Sequence, residues 1–402
     1  MRNLKIAVLV LVTAIVSIAL VKGETLTRLY HTITLFDKGV IVENFSGIAG
    51  KFPTYEIKAS TAPSKFEQDL GELPSHFEYK GQQQKVSNFL DETSTTALLV
   101  LDGNTIRYED YLQGTTGEDY RISWSTAKSF LSALFGIAVH EGAIESIDDP
   151  VTMYAPKLIG SGYDGVRIKD VLQMSSGVRF DEDYSDFDSD INRFGRTFAL
   201  GGSFDDFAAT LVNERAPGKY LHYVSIDTHV LGMVIRGATG RPMVDYFQEK
   251  LWSKIQPESS VYYVVDNENE PMVLGGMNLR TRDFARFGQL YLNNGKWGDE
   301  QVVPSEWVRA SVTPDAPHLV PGNRESSSIN LGYGYQWWIP EQADQEFMAL
   351  GIYGQFIYVN QRVGVVIVKN SAHIGFDENN FESATETVAF FRAVVELIES
   401  SR

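Results

Sequence analysis

A chain of 402 residues, 43% of them hydrophobic, can bury a sizeable core and is long enough for one large two-part domain or two domains. With 52 acidic against 35 basic residues, its net charge of −17 repels a phosphate backbone and an anionic lipid surface, which argues against nucleic acid as a partner. No cysteine occurs, so thiolate catalysis, cysteine-ligated metals, disulfides and a lipid-modified cysteine are excluded.

Arg2 and Lys5 precede an apolar run from Ile6 to Val21, and Lys22, Gly23 and Glu24 follow it. This is the pattern of an export signal: either a cleaved signal peptide over residues 1–23 or an uncleaved anchor that tethers the protein to a membrane through residues 6–21. The run is shorter than the roughly 20 residues that span a bilayer as a helix, which favours cleavage. A buried core helix is the alternative, and the basic start speaks against it. The body is accordingly expected in the periplasm or otherwise outside the cytoplasm. Residues 24–94 are mixed and polar, with Pro53, Pro63 and Pro74 breaking any long periodicity, and are expected to form an extension packed on the main body.

The main domain is expected over 95–402. Ala97–Leu101, Asp102-Gly103-Asn104 and Thr105–Tyr108 spell a hairpin, because Asp-Gly supplies the positive φ of a tight turn. After Ser125, the residues Phe130, Leu131, Leu134, Phe135, Ile137 and Val139 are apolar nearly all round and stop at Gly142, as in a buried helix. From about 142 to 300 the chain reads as helices and long loops. Val230, Leu231, Val234 and Ile235 mark one helix, with Pro242 in the first turn of the next. Thr281 is expected to cap another that carries Phe284, Phe287, Leu290 and Tyr291. Strands return at Phe356–Val359 and Val363–Val368, and an amphipathic helix over Thr385–Ile398 closes the chain. The expected fold is therefore α+β: one antiparallel sheet, built from about 95–123 and 330–402 and flanked by helices, with a helical domain inserted.

Ser125 and Lys128 stand one helical turn apart, so the amine can reach the hydroxyl. Desolvation at the start of a buried helix favours a neutral lysine that can accept the serine proton, and the serine N–H faces a nascent oxyanion. Ser-x-x-Lys alone is a weak signal, since ordinary composition yields about two chance matches in such a chain. A capping serine beside a snorkelling lysine is the better explanation of an isolated match. No Gly-x-Ser-x-Gly elbow and no His-Glu-x-x-His occurs. The seven histidines are scattered, His222 and His229 among them, and read as structural or surface groups. The acidic run 181–190 lacks the glycine and the glutamate of a calcium loop and reads as a solvated loop, or else as an attraction for a cationic substrate. Downstream, Tyr223-Val224-Ser225 precedes a helix and can face the Ser–Lys pair.

Together these elements resemble the β-lactamase-like serine hydrolases, in which a Ser-x-x-Lys helix is completed by Tyr-x-Asn or Tyr-x-Ser. STAKSFLSALFGIAVHEGAI followed by Asp148-Asp149-Pro150-Val151 is similar to class C β-lactamases and related esterases. IGSGYDGVRIKDVLQMSSGVRFDEDYSD, YVSIDTHVLG, GYGYQWW and LGIYGQFIYV resemble the 6-aminohexanoate-dimer hydrolases. The resemblance implies a β-lactamase/transpeptidase-like fold with Ser125 as nucleophile, Lys128 as its base and Tyr223 as proton shuttle to the leaving group. It also implies the N–H groups of Ser125 and Ile352 as oxyanion hole, and Tyr184, Ser225 and Tyr353 as substrate-binding residues. Two departures stand out. The edge-strand Lys-Thr-Gly or His-Thr-Gly is replaced by Ala349-Leu350-Gly351, which removes the cation that would hold a β-lactam carboxylate, and Asp227-Thr228-His229 stands where relatives usually read Asn-Thr-Asp. The expected activity is hydrolysis of small linear amides or short-chain esters, with no cofactor or metal and that small molecule as the expected partner. A penicillin-recognising enzyme and a non-catalytic exported scaffold are the rivals.

Overall fold

The computed structural model describes residues 23–376 and 381–402. Eight strands form the main sheet: β1 (Glu67–Gln68), β2 (Thr95–Asp102), β3 (Thr105–Tyr111), β4 (Gly332–Tyr333), β5 (Trp338–Ile339), β6 (Glu346–Gly351), β7 (Gln355–Asn360) and β8 (Val365–Ser371), in the spatial order β4-β5-β6-β7-β8-β2-β3-β1. Every pairing is antiparallel except that of the short edge strand β1 with β3. The β2–β3 hairpin turns at Gly103 (φ 59°), and β8 inserts beside β2 with Val366 opposite Leu101, so the two ends of the main domain meet in mid-sheet.

The central strands are buried on both faces, which is why they read as continuous apolar runs rather than as an alternation. Leu99, Leu101, Ile357, Val359, Val366 and Val368 point into one core, which they share with the helices α1 (Ala127–His140), α2 (Asp190–Leu200), α3 (Ser225–Thr239) and α4 (Thr281–Leu292). Leu98, Val100, Phe356, Tyr358, Val365 and Ile367 point the other way, against the C-terminal helix α5 (Glu382–Ser400). There the Phe391 ring packs against Phe356 and Tyr358, with centroids 5.5 and 5.2 Å away. The antiparallel sheet flanked by helices agrees with the fold expected from the sequence.

Three details differ. Tyr120–Ile122 leaves the main sheet and joins a second, four-stranded one in the order Thr54–Ile57, Val261–Val264, Met277–Arg280, Tyr120–Ile122. Two of its strands lie in the stretch that reads as helical, and one comes from the N-terminal extension. Three- and four-residue strands carry too little periodicity to be seen, and their partners are distant in sequence. Thr281 does not cap α4; its hydroxyl donates instead to Asn370 Oδ1 at 3.0 Å, tying the helix to β8.

The first described residues, 23–34, are helical. Arg28 is buried there; its Nε donates to the Ala199 carbonyl at 3.1 Å and its Nη1 to Asn267 Oδ1 at 2.9 Å. A cation on a carbonyl of the last turn of α2 complements that helix end, so the contact fixes the N-terminal segment against α2. Among the described residues no helix is long and apolar enough to cross a membrane. The expected export segment, residues 6–21, lies outside them.

Candidate active site

Ser125 occupies the short turn Trp124–Thr126 that leads directly into α1. The turn is pinned from below, where the buried Ser123 donates its N–H to the Met277 carbonyl at 2.7 Å and accepts the Met277 N–H on its hydroxyl at 3.2 Å. Trp124 adopts φ +41°, a conformation that costs a bulky side chain about 1–3 kcal/mol and persists only when its surroundings enforce it. Here the indole is surrounded by the rings of Phe36, Phe45 and Tyr353, with centroids 5.4–6.0 Å away.

The end of β6 abuts the same turn. A Cβ on Gly351 would lie 2.8 Å from the Ser123 carbonyl and 3.1 Å from the Ser125 nitrogen, so only glycine lets the strand approach this closely. Ile352 follows immediately beside Ser125. Tyr353 comes next with φ +61° and packs its ring between Phe36 and Phe45, both at 5.2 Å.

Lys128, one turn into α1, is 1% exposed. Its Nζ lies 2.9 Å from Ser125 Oγ, 2.7 Å from the Leu274 carbonyl and 3.3 Å from Ser225 Oγ. As a neutral amine it has two hydrogens for Leu274 and Ser225 and a lone pair facing the Ser125 hydroxyl. Burial pulls its pKa down to about 7, against the opposing pull of Glu182 and Asp227. The Tyr223 ring centroid stands 5.2 Å from the amine, and the ring itself stacks on Trp338 at 5.3 Å.

Glu182 and Asp227 belong to this cluster, and sequence reasoning assigned neither of them a place in it. Glu182 accepts the Ser225 N–H at 2.6 Å; burial pushes its carboxyl up while the lysine pulls it down. Asp227, fully buried, accepts the Tyr163 hydroxyl at 2.8 Å, and burial holds its carboxyl well above the usual range. The acidic run is therefore not uniformly solvated. Phe180 and the Glu182 carboxylate turn inward while Asp181 and Asp183 face water. The remaining aspartates fold the loop: Asp181 accepts the N–H of Asp183, Asp183 that of Ser185 and Asp186 that of Asp188, at 2.8–2.9 Å. His222 contacts the Phe180 carbonyl through Nε2 at 2.8 Å, and the buried His229 pairs with Asp205 at 2.8 Å, so both have structural partners.

A cavity of about 450 Å³ opens beside Ser125, with Ile352, Ser225 and Tyr184 in its wall. Of the expected substrate-binding residues, Tyr184 and Ser225 thus line it, whereas Tyr353 lies among Phe36, Phe45 and Trp124.

An antiparallel sheet with a helical body on one face, and a serine–lysine pair at the start of the helix between them, define a hydrolase of the β-lactamase-like class. The sequence matches the family described as Beta-lactamase over residues 83–389, and the chain belongs to that family. It is 30% identical over 291 residues to the 6-aminohexanoate-dimer hydrolase of Paenarthrobacter ureafaciens, covering 70% of this chain and 74% of the relative. Among solved structures, a protein from Bacillus anthracis described as a 6-aminohexanoate-dimer hydrolase superposes with a TM-score of 0.81 at 22% identity, over 91% of this chain and 96% of its own. EstCE1, described as a hydrolase with promiscuous acyltransferase activity, superposes with a TM-score of 0.58 at 14% identity, over 77% of this chain and 96% of its own.

Proposed function

We propose that the protein is a serine hydrolase that cleaves linear amides or esters through an acyl-enzyme on Ser125. The observation that carries the reading is the buried Lys128 amine, 2.9 Å from the Ser125 hydroxyl, with a pKa pulled to about 7. In the proposed cycle Ser125 Oγ attacks the substrate carbonyl as its proton passes to Lys128 Nζ. The oxyanion is held by the N–H groups of Ser125 and Ile352, on the two segments that Gly351 brings together. Collapse of the tetrahedral intermediate breaks the carbonyl–leaving-group bond, and the amine or alkoxide leaves with a proton delivered through Tyr223. A water then attacks the ester, giving up its proton to the same relay and restoring Ser125.

The relative's name suggests an aminohexanoate amide, and an acyl-enzyme on Ser125 would serve amides and esters alike. The lack of a cation at Ala349-Leu350-Gly351 speaks against a penicillin-recognising enzyme, which covalent labelling by a fluorescent penicillin would reveal. The apolar run at 6–21 supports export or membrane tethering, tested by cell fractionation. The central test is hydrolysis of p-nitrophenyl acetate and of an aminohexanoate dimer by the full chain and by Ser125→Ala. Loss of at least about a thousandfold on the substrate that is cleaved is expected. Activity that survives the substitution overturns the reading.

A further inference from the structure

We infer that the cavity beside Ser125 is an acyl-chain site, so that the substrates are amides or esters of extended aliphatic acids rather than of short or amine-bearing ones. The inference deepens the proposed reading and rests on it. The cavity walls come from three places: Phe36 and Phe52 of the N-terminal segment, Ile191 and Phe198 of α2, and Met272 and Leu274 of the loop before Met277–Arg280. Among the described residues no aspartate, glutamate or lysine lines it. Arg196, the one cation among the described lining residues, is engaged with its guanidinium 4.0 Å from the Phe187 ring centroid and a hydrogen bond to the Phe187 carbonyl. A charged amine end entering here would lose its water without meeting a carboxylate, at a cost that a methylene chain escapes.

Two further observations point the same way. Ile33 and Phe187 line the cavity yet are 68% and 70% exposed, an apolar rim of the kind that marks a binding groove for an apolar ligand. Gly195 stands in the middle of α2, where glycine costs about 1 kcal/mol relative to alanine. Its φ is an ordinary one and a Cβ there would meet nothing within 4 Å, so neither backbone nor packing demands the glycine. It lines the cavity, so a long side chain there would take up part of that space. The space opens directly from the serine, with Ser125 and Ile352 in its wall.

The test is a series of p-nitrophenyl esters from acetate to decanoate with the full chain, each below its micellar concentration. Burying one methylene contributes about 0.8 kcal/mol, so kcat/KM is expected to rise about three- to fourfold per methylene until the cavity is full. In Gly195→Leu the octanoate-to-acetate ratio is expected to fall at least tenfold, with an unchanged or higher melting temperature. A flat or falling series in the wild type overturns the inference whatever the variant does. So does a ratio unmoved in a folded Gly195→Leu. These outcomes are separable from failure of the underlying mechanism, since Ser125→Ala abolishes turnover of every ester if Ser125 is the nucleophile, and leaves it if not.

Discussion

Lys128 is a residue whose usefulness and cost have the same origin. The burial that brings its pKa to about 7 makes it a base near neutrality, so kcat/KM is expected to fall as pH drops below about 7 and the amine becomes protonated. Lys128→Met is expected to reduce kcat/KM by about 10²–10⁴-fold. Glu182 raises the lysine's pKa, so Glu182→Gln should move the acidic limb of the pH–rate profile to lower pH. If Glu182 only braces the loop through Ser225, the level of activity changes and the limb stays in place. Lys369 allows the linkage to be tested away from the site. It is 1% exposed, hydrogen-bonded to Ser371 Oγ at 2.7 Å, and burial brings it too down to about 7 from a normal value above 10. Between those two values the unfolded state binds more protons than the folded one, so stability rises with pH across that window and the full cost of the buried charge is felt below it. Lys369→Met should therefore raise the melting temperature more at pH 6 than at pH 9. An equal gain at both would mean that the folded-state pKa is not depressed. The Ser125–Lys128 spacing and a tyrosine able to face it were legible, but a weak signal on their own; the family resemblance is what gave the pair its weight and Tyr223 its role. Glu182 and Asp227 were not legible as partners of the lysine, since what buries an acid is the fold around it and nothing local in the sequence states that.

At the scale of elements, the junction of β6 with the Trp124–Thr126 turn sets the site. Gly351→Ala must push apart the Ser123 carbonyl and the Ser125 nitrogen, and with them the two N–H groups assigned to the oxyanion. A loss of about 10²–10³-fold in kcat in a protein of near-normal melting temperature is the expected result, read by steady-state kinetics beside a thermal melt. The long elements were readable: α1, α3 and α4 have one strongly apolar face or more, β7 carries aromatic and β-branched residues in succession, and β8 opens on a run of β-branched ones. The second sheet was not. Val261–Val264 and Tyr120–Ile122 look alike whether they pair or not, and only their distant partners make them strands. Thr281 is instructive in the same way: a threonine at a helix start reads as a cap, yet a neighbour across the core, Asn370, takes its hydroxyl.

At the scale of the whole molecule, residues 23–94 read as an appendage, yet they supply one strand to the main sheet, one to the four-stranded sheet and part of the wall of the cavity. Arg28 joins that segment to α2. Arg28→Ala leaves the Asn267 side chain without this partner and is expected to cost about 1–3 kcal/mol of stability, measured by chemical denaturation. The insertion of β8 beside β2 has a consequence in time. During synthesis the β2–β3 hairpin emerges early, but the strand that covers its open side is made more than 260 residues later, a wait on the order of tens of seconds at ordinary elongation rates. Throughout that interval Thr95–Asp102, with five apolar residues in succession, presents an unpaired edge able to template pairing with another chain. The newborn protein is thus most vulnerable to aggregation before its last forty residues exist, and its yield should depend on how well that edge is shielded until then.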